Sequence, residues 1–493
     1  LKQNAFDLLC KLTTTMIVGA RDGDDDEKTL DGVVAKKPHG VDEEDDIFHD
    51  ASVQSLLKFK GGFAKGLRRD IERRRPYYKS DWTDAFTAEN FSQSLSSICF
   101  LFFACLAPAI AFGTIYDTET EGMIGVVECI LASGFAGVTY SLTSGQPLCI
   151  LGGTGPNLAY TVAFYQICNS MDIDFLAARV WQGLWCSLFT IIFAVTDASA
   201  LMSHVTRYVE EIFSALITLI FVYEALKSVI DSFYKRSTEA AFMTTILCFA
   251  TYIIAIQLKG LKQTKYFTPA IRHVVASFAV TIAILIVSGV ANNWNNVDVE
   301  WLSVPADIEP SFKPKADGKP RPWLINPFGG QGLNKDGVER DLPTWAIFFC
   351  IIPGTGMALL NYLDQNLTTK LIMRPVRGLK KPGGYHLDML MLGVIIYPVV
   401  TMFGLPFPCA ATVRSLAHLI SLTTYEHKPI PGGGTQMVVS KVAEQRTTHF
   451  AIHFLMLVSL ALANVLKYVP KGVLFGVFLY MGMTSIPGNQ LFD

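Results

Sequence analysis

Asp364 and Thr368 lie four residues apart in LNYLDQNLTT, residues 360–369, within an apolar segment that opens WAIFFCIIPGTGMALL at Trp345. Four residues is about one helical turn, so on a helix the carboxylate and the hydroxyl share a face. Both are hard oxygen donors of the kind Na⁺ takes. An acid buried alone would tend to hold a proton, because desolvation disfavours its charged form. Kept ionised, Asp364 needs a cation or a positive side chain. Arg414, in GLPFPCAATVRSLAHLISL (404–422), is one such side chain. Asp364 therefore has three readings: cation coupling, a protonatable relay, or a structural ion pair with Arg414. A lone arginine in an apolar span costs at least ~2.5 kcal/mol on insertion scales. Arg414 is expected to face water, an acid or a bound anion.

Two short segments supply a place for that anion. QPLCILGGTGPNLAYTVAFYQ (146–166) carries Gly152, Gly153, Gly155 and Pro156 at its middle, and the 404–422 segment carries Pro406 and Pro408 before a helix start. Each reads as an extended stretch turning into a half-helix. They fall third in each of two groups of seven spans, the arrangement that points to an inverted-repeat transporter. A helix N-terminus presents unpaired N–H groups and about half a positive charge. Two such ends facing each other make an anion site. The candidate anion-binding residues are Thr154, Gly155, Pro156, Asn157, Ala411, Thr412, Val413 and Arg414. The candidate cation-coupling residues are Asp364, Thr368 and Thr412. Apart from a sodium ion at Asp364 and Thr368, no metal or other cofactor is expected. His386 and Asp388 open a span and read as interfacial or capping residues; His418 and His453 read as ordinary packing.

These residues need spans to position them, and the composition supplies them. The chain has 493 residues, 51% hydrophobic and 17% charged, against about 25% charged in soluble domains. Candidate spans run 91–113, 124–144, 148–167, 177–196, 208–230, 239–257, 272–291, 345–373, 386–403, 409–424, 448–466 and 471–486. Most have the ~20 residues that cross a ~30 Å hydrocarbon core. Residues 1–58, with acidic runs at 22–27 and 42–46, read as a largely disordered cytoplasmic segment. KGLRRDIERRRPYYKSDW (65–82) lies in a basic juxtamembrane segment, 59–85, and places the N-terminus in the cytoplasm. The basic connections at 258–272 and 370–384 should be inside, and the long polar segment 292–344 outside. The net charge of −2 and pI near 6.5 give no reason to expect a nucleic-acid partner. Ten cysteines are scattered without a CxxC pair, and no P-loop, serine elbow or HExxH motif occurs. An enzyme is not expected.

Several stretches resemble the bicarbonate transporter family, solute carrier family 4. They are LRRDIERRRPYYKSDWTDAF, LAPAIAFG, ILGGTGP, RVWQGLW, TRYVEEIFSALITLIFVYEA, LDQNLTT, GGYHLDMLML, GLPFPCAATVRSLAH, AEQR and GVLFGVFLYMGMTSIPGNQLFD, in order from about residue 59 to the end. The resemblance implies an all-α polytopic membrane fold of two inverted seven-span repeats, with residues 86–493 ending after about span 12. It implies a core of spans 1–4 and 8–11 that moves against a gate of spans 5–7 and 12–14, and a homodimer in lipid. It also implies a substrate site between the span-3 and span-10 half-helices, beside a span-8 acid that falls on Asp364, with Thr412 and Arg414 at the span-10 positions. Exchangers in the family pair Glu with Arg at the span-8 and span-10 positions, and sodium-coupled members pair Asp with an aliphatic residue. This sequence has Asp364 with Arg414, which mixes the two. The expected function is elevator-type, secondary-active transport of bicarbonate or carbonate with Na⁺, in the plasma membrane. Electroneutral Cl⁻/bicarbonate exchange is the first alternative and borate export the next. A non-transporting membrane anchor for cytoplasmic proteins is the alternative of a different class.

Overall fold

A computed structural model describes residues 63–493, except 262–263, 265, 294–298, 302–307, 314–319, 334–339, 430–434, 462–467 and 487–493. The expected segment 1–58 lies outside the described residues. Among the described residues, seven helices are long and apolar enough to cross a membrane, and three shorter apolar helices match further expected spans. The remaining two expected spans are the interrupted segments.

In chain order the helices begin with α1 (Lys65–Arg74), α2 (Phe91–Glu119) and α3 (Val126–Thr143). A two-residue strand β1 (Leu151–Gly152) precedes α4 (Gly155–Ser170) and α5 (Phe175–Val195). Next come α6 (Arg207–Lys235), α7 (Thr238–Gly260), α8 (Pro269–Ser277) and α9 (Ala279–Asn292). The second group holds α10 (Ile351–Ile372), α11 (Tyr385–Met391) and α12 (Tyr397–Met402), the last two joined by a π-helical turn at Leu392–Ile396. Strand β2 (Cys409–Ala410) leads into α13 (Thr412–Ser421). A hairpin of β3 (Thr423–Pro429) and β4 (Thr435–Val442) precedes α14 (Thr447–Ala461) and α15 (Lys471–Ser485).

Both interrupted segments are an extended stretch turning into a half-helix, as expected: 148–167 holds β1 and α4, and in 409–424 β2 leads into the ten-residue α13, which ends at Ser421 and gives way to β3. The 272–291 span breaks at Phe278, between α8 and α9. Gly and Pro punctuate the first two cases: Pro156 sits in the first turn of α4, where its missing N–H has no helical partner to lose.

The helices sort into two sets. α6, α7, α9 and α15 pack on one another, and α2, α3, α5, α10, α11, α12 and α14 form the second set, with β1 against α3 and β2 against α10. This is the gate-and-core grouping that the family resemblance implies.

The charge-dense segment after residue 63 is folded against this bundle. Asp81 is fully buried and accepts from Arg74 (2.5 Å), Lys381 (2.9 Å) and Arg446 (3.0 Å). Arg446 also donates to the carbonyls of Ser141 (2.9 Å) and Ser144 (2.5 Å). The Asp70 carboxylate accepts the first N–H groups of α11, from His386 (2.8 Å) and Leu387 (3.3 Å), which the helix could not otherwise satisfy. Asp388 in turn accepts from the N–H groups of Gly145 (2.6 Å) and Gln146 (3.2 Å), so it fixes the turn that leads into β1. Asp388 is therefore a buried clamp on the 145–146 turn rather than the interfacial or capping residue its place at a span start suggests, and the capping falls to Asp70.

Candidate functional site

β1 and β2 pair antiparallel, Leu151 opposite Ala410 and Gly152 opposite Cys409. Each strand runs within three residues into its half-helix, so the antiparallel pairing brings the starts of α4 and α13 together. Further hydrogen bonds lock the crossing: Ala411 N–H donates to the Ile150 carbonyl (2.9 Å), and Ile150 N–H to Ser415 Oγ (2.8 Å). Three histidines support the same stretch. His449 Nδ1 donates to the Pro147 carbonyl (2.8 Å), His418 Nδ1 to Leu148 (3.1 Å) and His453 Nε2 to Leu151 (3.0 Å). His418 and His453 therefore do more than fill space: with His449 they position β1.

Asp364 lies beside the crossing and is 6% exposed. Its Oδ2 accepts from the Cys409 thiol (3.4 Å), and the Thr154 hydroxyl lies beside it. Thr154 Oγ1 and Cys409 Sγ are themselves 3.4 Å apart. One turn along α10, Thr368 Oγ1 meets Thr412 Oγ1 at 2.7 Å, both buried. The structure thus brings together Asp364, Thr368, Thr412 and Thr154, and adds Cys409.

Arg414 is not part of that group. No ion pair joins it to Asp364 among the described residues, so the structural-pair reading of Asp364 does not hold. The reason is helical geometry: two residues along α13 turn the side chain by about 200°, so Thr412 and Arg414 face opposite ways. The Arg414 side chain is 2% exposed. Its Nη2 donates to the Gly153 carbonyl (2.6 Å), and the Cys105 thiol lies alongside. Its Nε and Nη1 have no oxygen partner among the described residues. Gly152 makes room for it: a Cβ there would lie 2.5 Å from Nη1.

The other predicted residues divide. A Cβ on Gly155 would meet nothing within 4 Å, and Gly153, Thr154, Gly155 and Pro156 are partly or fully exposed, so the α4 start faces open space. Ala411, Thr412 and Val413 are buried. Asn157 is fully buried and tied down: its Nδ2 donates to Asn361 Oδ1 (2.9 Å) and to the Phe407 carbonyl (3.2 Å). Asn157 therefore cross-links α4, α10 and the 405–410 stretch. Asn361, one turn before Asp364, escaped the sequence reading although helical spacing puts it on the same face. Cys409 escaped because nothing in its place in the sequence sets it apart from the other scattered cysteines.

The profile described as the HCO3⁻ transporter integral membrane domain matches residues 62–240 and 231–493. The chain belongs to the bicarbonate transporter family. Band 3 anion transport protein of Rattus norvegicus is 33% identical over 455 residues, covering 89% of this chain and 47% of that protein. Sodium bicarbonate cotransporter 3 of Homo sapiens is 32% identical over 531 residues, covering 91% of this chain and 42% of that protein. The chain spans less than half the length of these curated relatives. Among solved structures, the transmembrane domain of a cyanobacterium bicarbonate transporter, BicA, is 15% identical with a TM-score of 0.48, covering 83% of this chain and 91% of that one. Family membership makes this a multi-pass membrane protein of an anion-transporter family, and both exchanger-named and sodium-cotransporter-named relatives occur within it.

Proposed function

We propose that the chain is the transport part of a secondary-active carrier of bicarbonate or carbonate, coupled to Na⁺, working by elevator-type alternating access as a homodimer in the plasma membrane. One observation carries the sodium reading. Asp364 has no positive partner among the described residues; its carboxylate meets the Thr154 hydroxyl and the Cys409 thiol, and the Thr368–Thr412 hydroxyl pair lies one turn along α10. A nearly buried carboxylate without a positive partner is stabilised by a bound cation or a proton, and these oxygens suit Na⁺. The anion is assigned to the open start of α4 and to Arg414, where the N–H groups of the helix end and two guanidinium nitrogens are available.

Chloride/bicarbonate exchange is the second reading. Arg414 favours it, because a fixed positive charge at the half-helix pair binds an anion without help from a cation. The deciding experiment uses the full-length protein in cells lacking other bicarbonate transport. The cells are acid-loaded with proton exchangers blocked, and internal pH is followed with Na⁺ present and then replaced. Recovery that needs both Na⁺ and bicarbonate supports cotransport. A bicarbonate-dependent pH change that ignores Na⁺ and needs chloride supports exchange. A properly delivered protein that moves no anion would overturn both and support the membrane-anchor alternative.

A further inference from the structure

Another buried arginine without a carboxylate partner among the described residues lies against Phe407, in the stretch that leads into β2. Arg179, one turn into α5, is 1% exposed, and none of its three guanidinium nitrogens has a hydrogen-bond partner among the described residues. Its Cζ lies 5.0 Å from the centre of the Phe407 ring. Phe407 precedes Cys409 by two residues, about 7 Å along an extended chain, so Arg179 is close to the Asp364 group without belonging to it. Gln182 follows one turn later on the same face of α5. It is fully buried, and both of its amide atoms are unpartnered among the described residues.

The charged and titratable neighbours of Arg179 are Tyr116, Cys129 and Arg321, none of them a carboxylate. The Tyr116 hydroxyl also lies beside Thr161. Glu128, next to Cys129 in the chain, is already committed. It accepts from Arg321 Nη2 (3.3 Å), from the N–H (2.8 Å) and hydroxyl (2.6 Å) of Ser311, and from Gly125 N–H (3.0 Å). Asp117 also faces Glu128 but is exposed to solvent, so among the buried groups two guanidinium groups stand against one carboxylate and leave one positive charge. A guanidinium does not lose its proton in a protein, and an uncompensated buried charge is strongly unfavourable. Water can satisfy the donors but leaves the charge. A small anion satisfies both, and Gln182 offers it an amide N–H.

We propose that Arg179 and Gln182 form a second site for one small monovalent inorganic anion, chloride or bicarbonate. It is distinct from the Arg414 position and lies on the side of the 405–410 stretch where Arg321, from the 292–344 segment, reaches in. It takes the class of anion from the carrier reading above, and its occupancy does not depend on transport. An ion held here would wait one step from the half-helix pair, behind the Phe407 ring.

The test uses purified full-length protein titrated with N-methyl-D-glucamine chloride against the gluconate salt at constant ionic strength and without Na⁺. Thermal unfolding is the readout. The Arg414→Leu variant should still be stabilised by chloride, and adding Arg179→Met should abolish that stabilisation. Adding Gln182→Leu instead, which leaves the charge in place, should raise the half-saturating chloride concentration roughly fivefold for one lost hydrogen bond. If Arg179→Met does not fold, the Gln182→Leu comparison decides. Two results overturn the site: no chloride effect in Arg414→Leu, or an effect that neither second substitution changes. The first, with wild type still stabilised by chloride, removes the second site and leaves the carrier reading standing. Loss of pH recovery in cells with the chloride effect intact does the reverse.

Discussion

Asp364 is held by neutral groups, a thiol and a hydroxyl, with the Thr368–Thr412 pair one turn away. If it binds Na⁺, Asp364→Asn keeps the volume and removes the charge. This variant should reach the membrane in normal amounts and lose Na⁺-dependent pH recovery. Normal transport with unchanged Na⁺ dependence would remove Asp364 from the coupling role. Arg414 offers an independent test, because a Cβ on Gly152 would meet the far end of its side chain rather than backbone. Gly152→Ala should therefore fold, push the guanidinium aside, and raise the half-saturating bicarbonate concentration severalfold. Arg414→Leu should do the same, and the double variant should be little worse than Arg414→Leu alone, since neighbours acting through one interaction are not additive. Additive effects in uptake kinetics would separate Gly152 from Arg414. The acid and the buried arginine were legible in the sequence because a charge is costly in an apolar span, and the hydroxyl because it lies one helical turn from the acid. Their partners were not. Cys409 and Asn361 are unremarkable types in such a segment, and only the β1–β2 crossing carries Cys409 to Asp364.

Glycine and proline made the half-helices visible. The expected half-helix ends, 154–157 and 411–414, contain the observed starts at Gly155 and Thr412. The hairpin of β3 and β4 was hidden because the pattern AHLISLTTYE, residues 417–426, keeps an apolar run going past the end of α13. The docking of the first described helices was hidden for another reason: positive-inside charge counts arginines without saying which of them are buried on Asp81. Capping is more local and can be tested directly. Asp174 accepts from the N–H groups of Leu176 (3.0 Å) and Ala177 (3.4 Å) at the start of α5. Asp174→Ala should lower stability by about 1 kcal/mol, whereas Asn keeps the cap. Burial lifts the Asp174 carboxyl from 3.8 to about 6, against the opposing pull of the Ala177 and Leu176 N–H groups. The folded state therefore holds the proton more tightly than the unfolded chain between those values. The carboxylate's contribution to stability falls as pH rises through that window. Thermal unfolding should show Asp174→Asn gaining on wild type from pH 4.5 to pH 7.5. A constant difference between the two proteins would mean that Asp174 is not buried as described.

The two helix sets meet where α2 packs on α15, and the Phe100 and Tyr480 rings touch edge to face there, 6.2 Å between centres. Phe233 and Phe242 make a similar contact, 5.2 Å between centres, but within one set, between α6 and α7. Elevator-type motion slides one set past the other and leaves contacts inside each set unchanged, so the two pairs should respond differently to a tether. Phe100→Cys/Tyr480→Cys, with the partly exposed Cys99 replaced, should transport before treatment, stop when a short bifunctional methanethiosulfonate joins the two thiols, and recover on reduction. Phe233→Cys/Phe242→Cys, tethered to the same extent, should keep its rate. The contrast matters more than either result alone, because a tether can inhibit by distortion. If both pairs arrest transport, distortion is the simpler account. If the 100–480 tether forms fully and flux continues, the sets do not slide at this boundary, and the anion must cross by a local opening between the α4 and α13 ends while the two sets stay fixed.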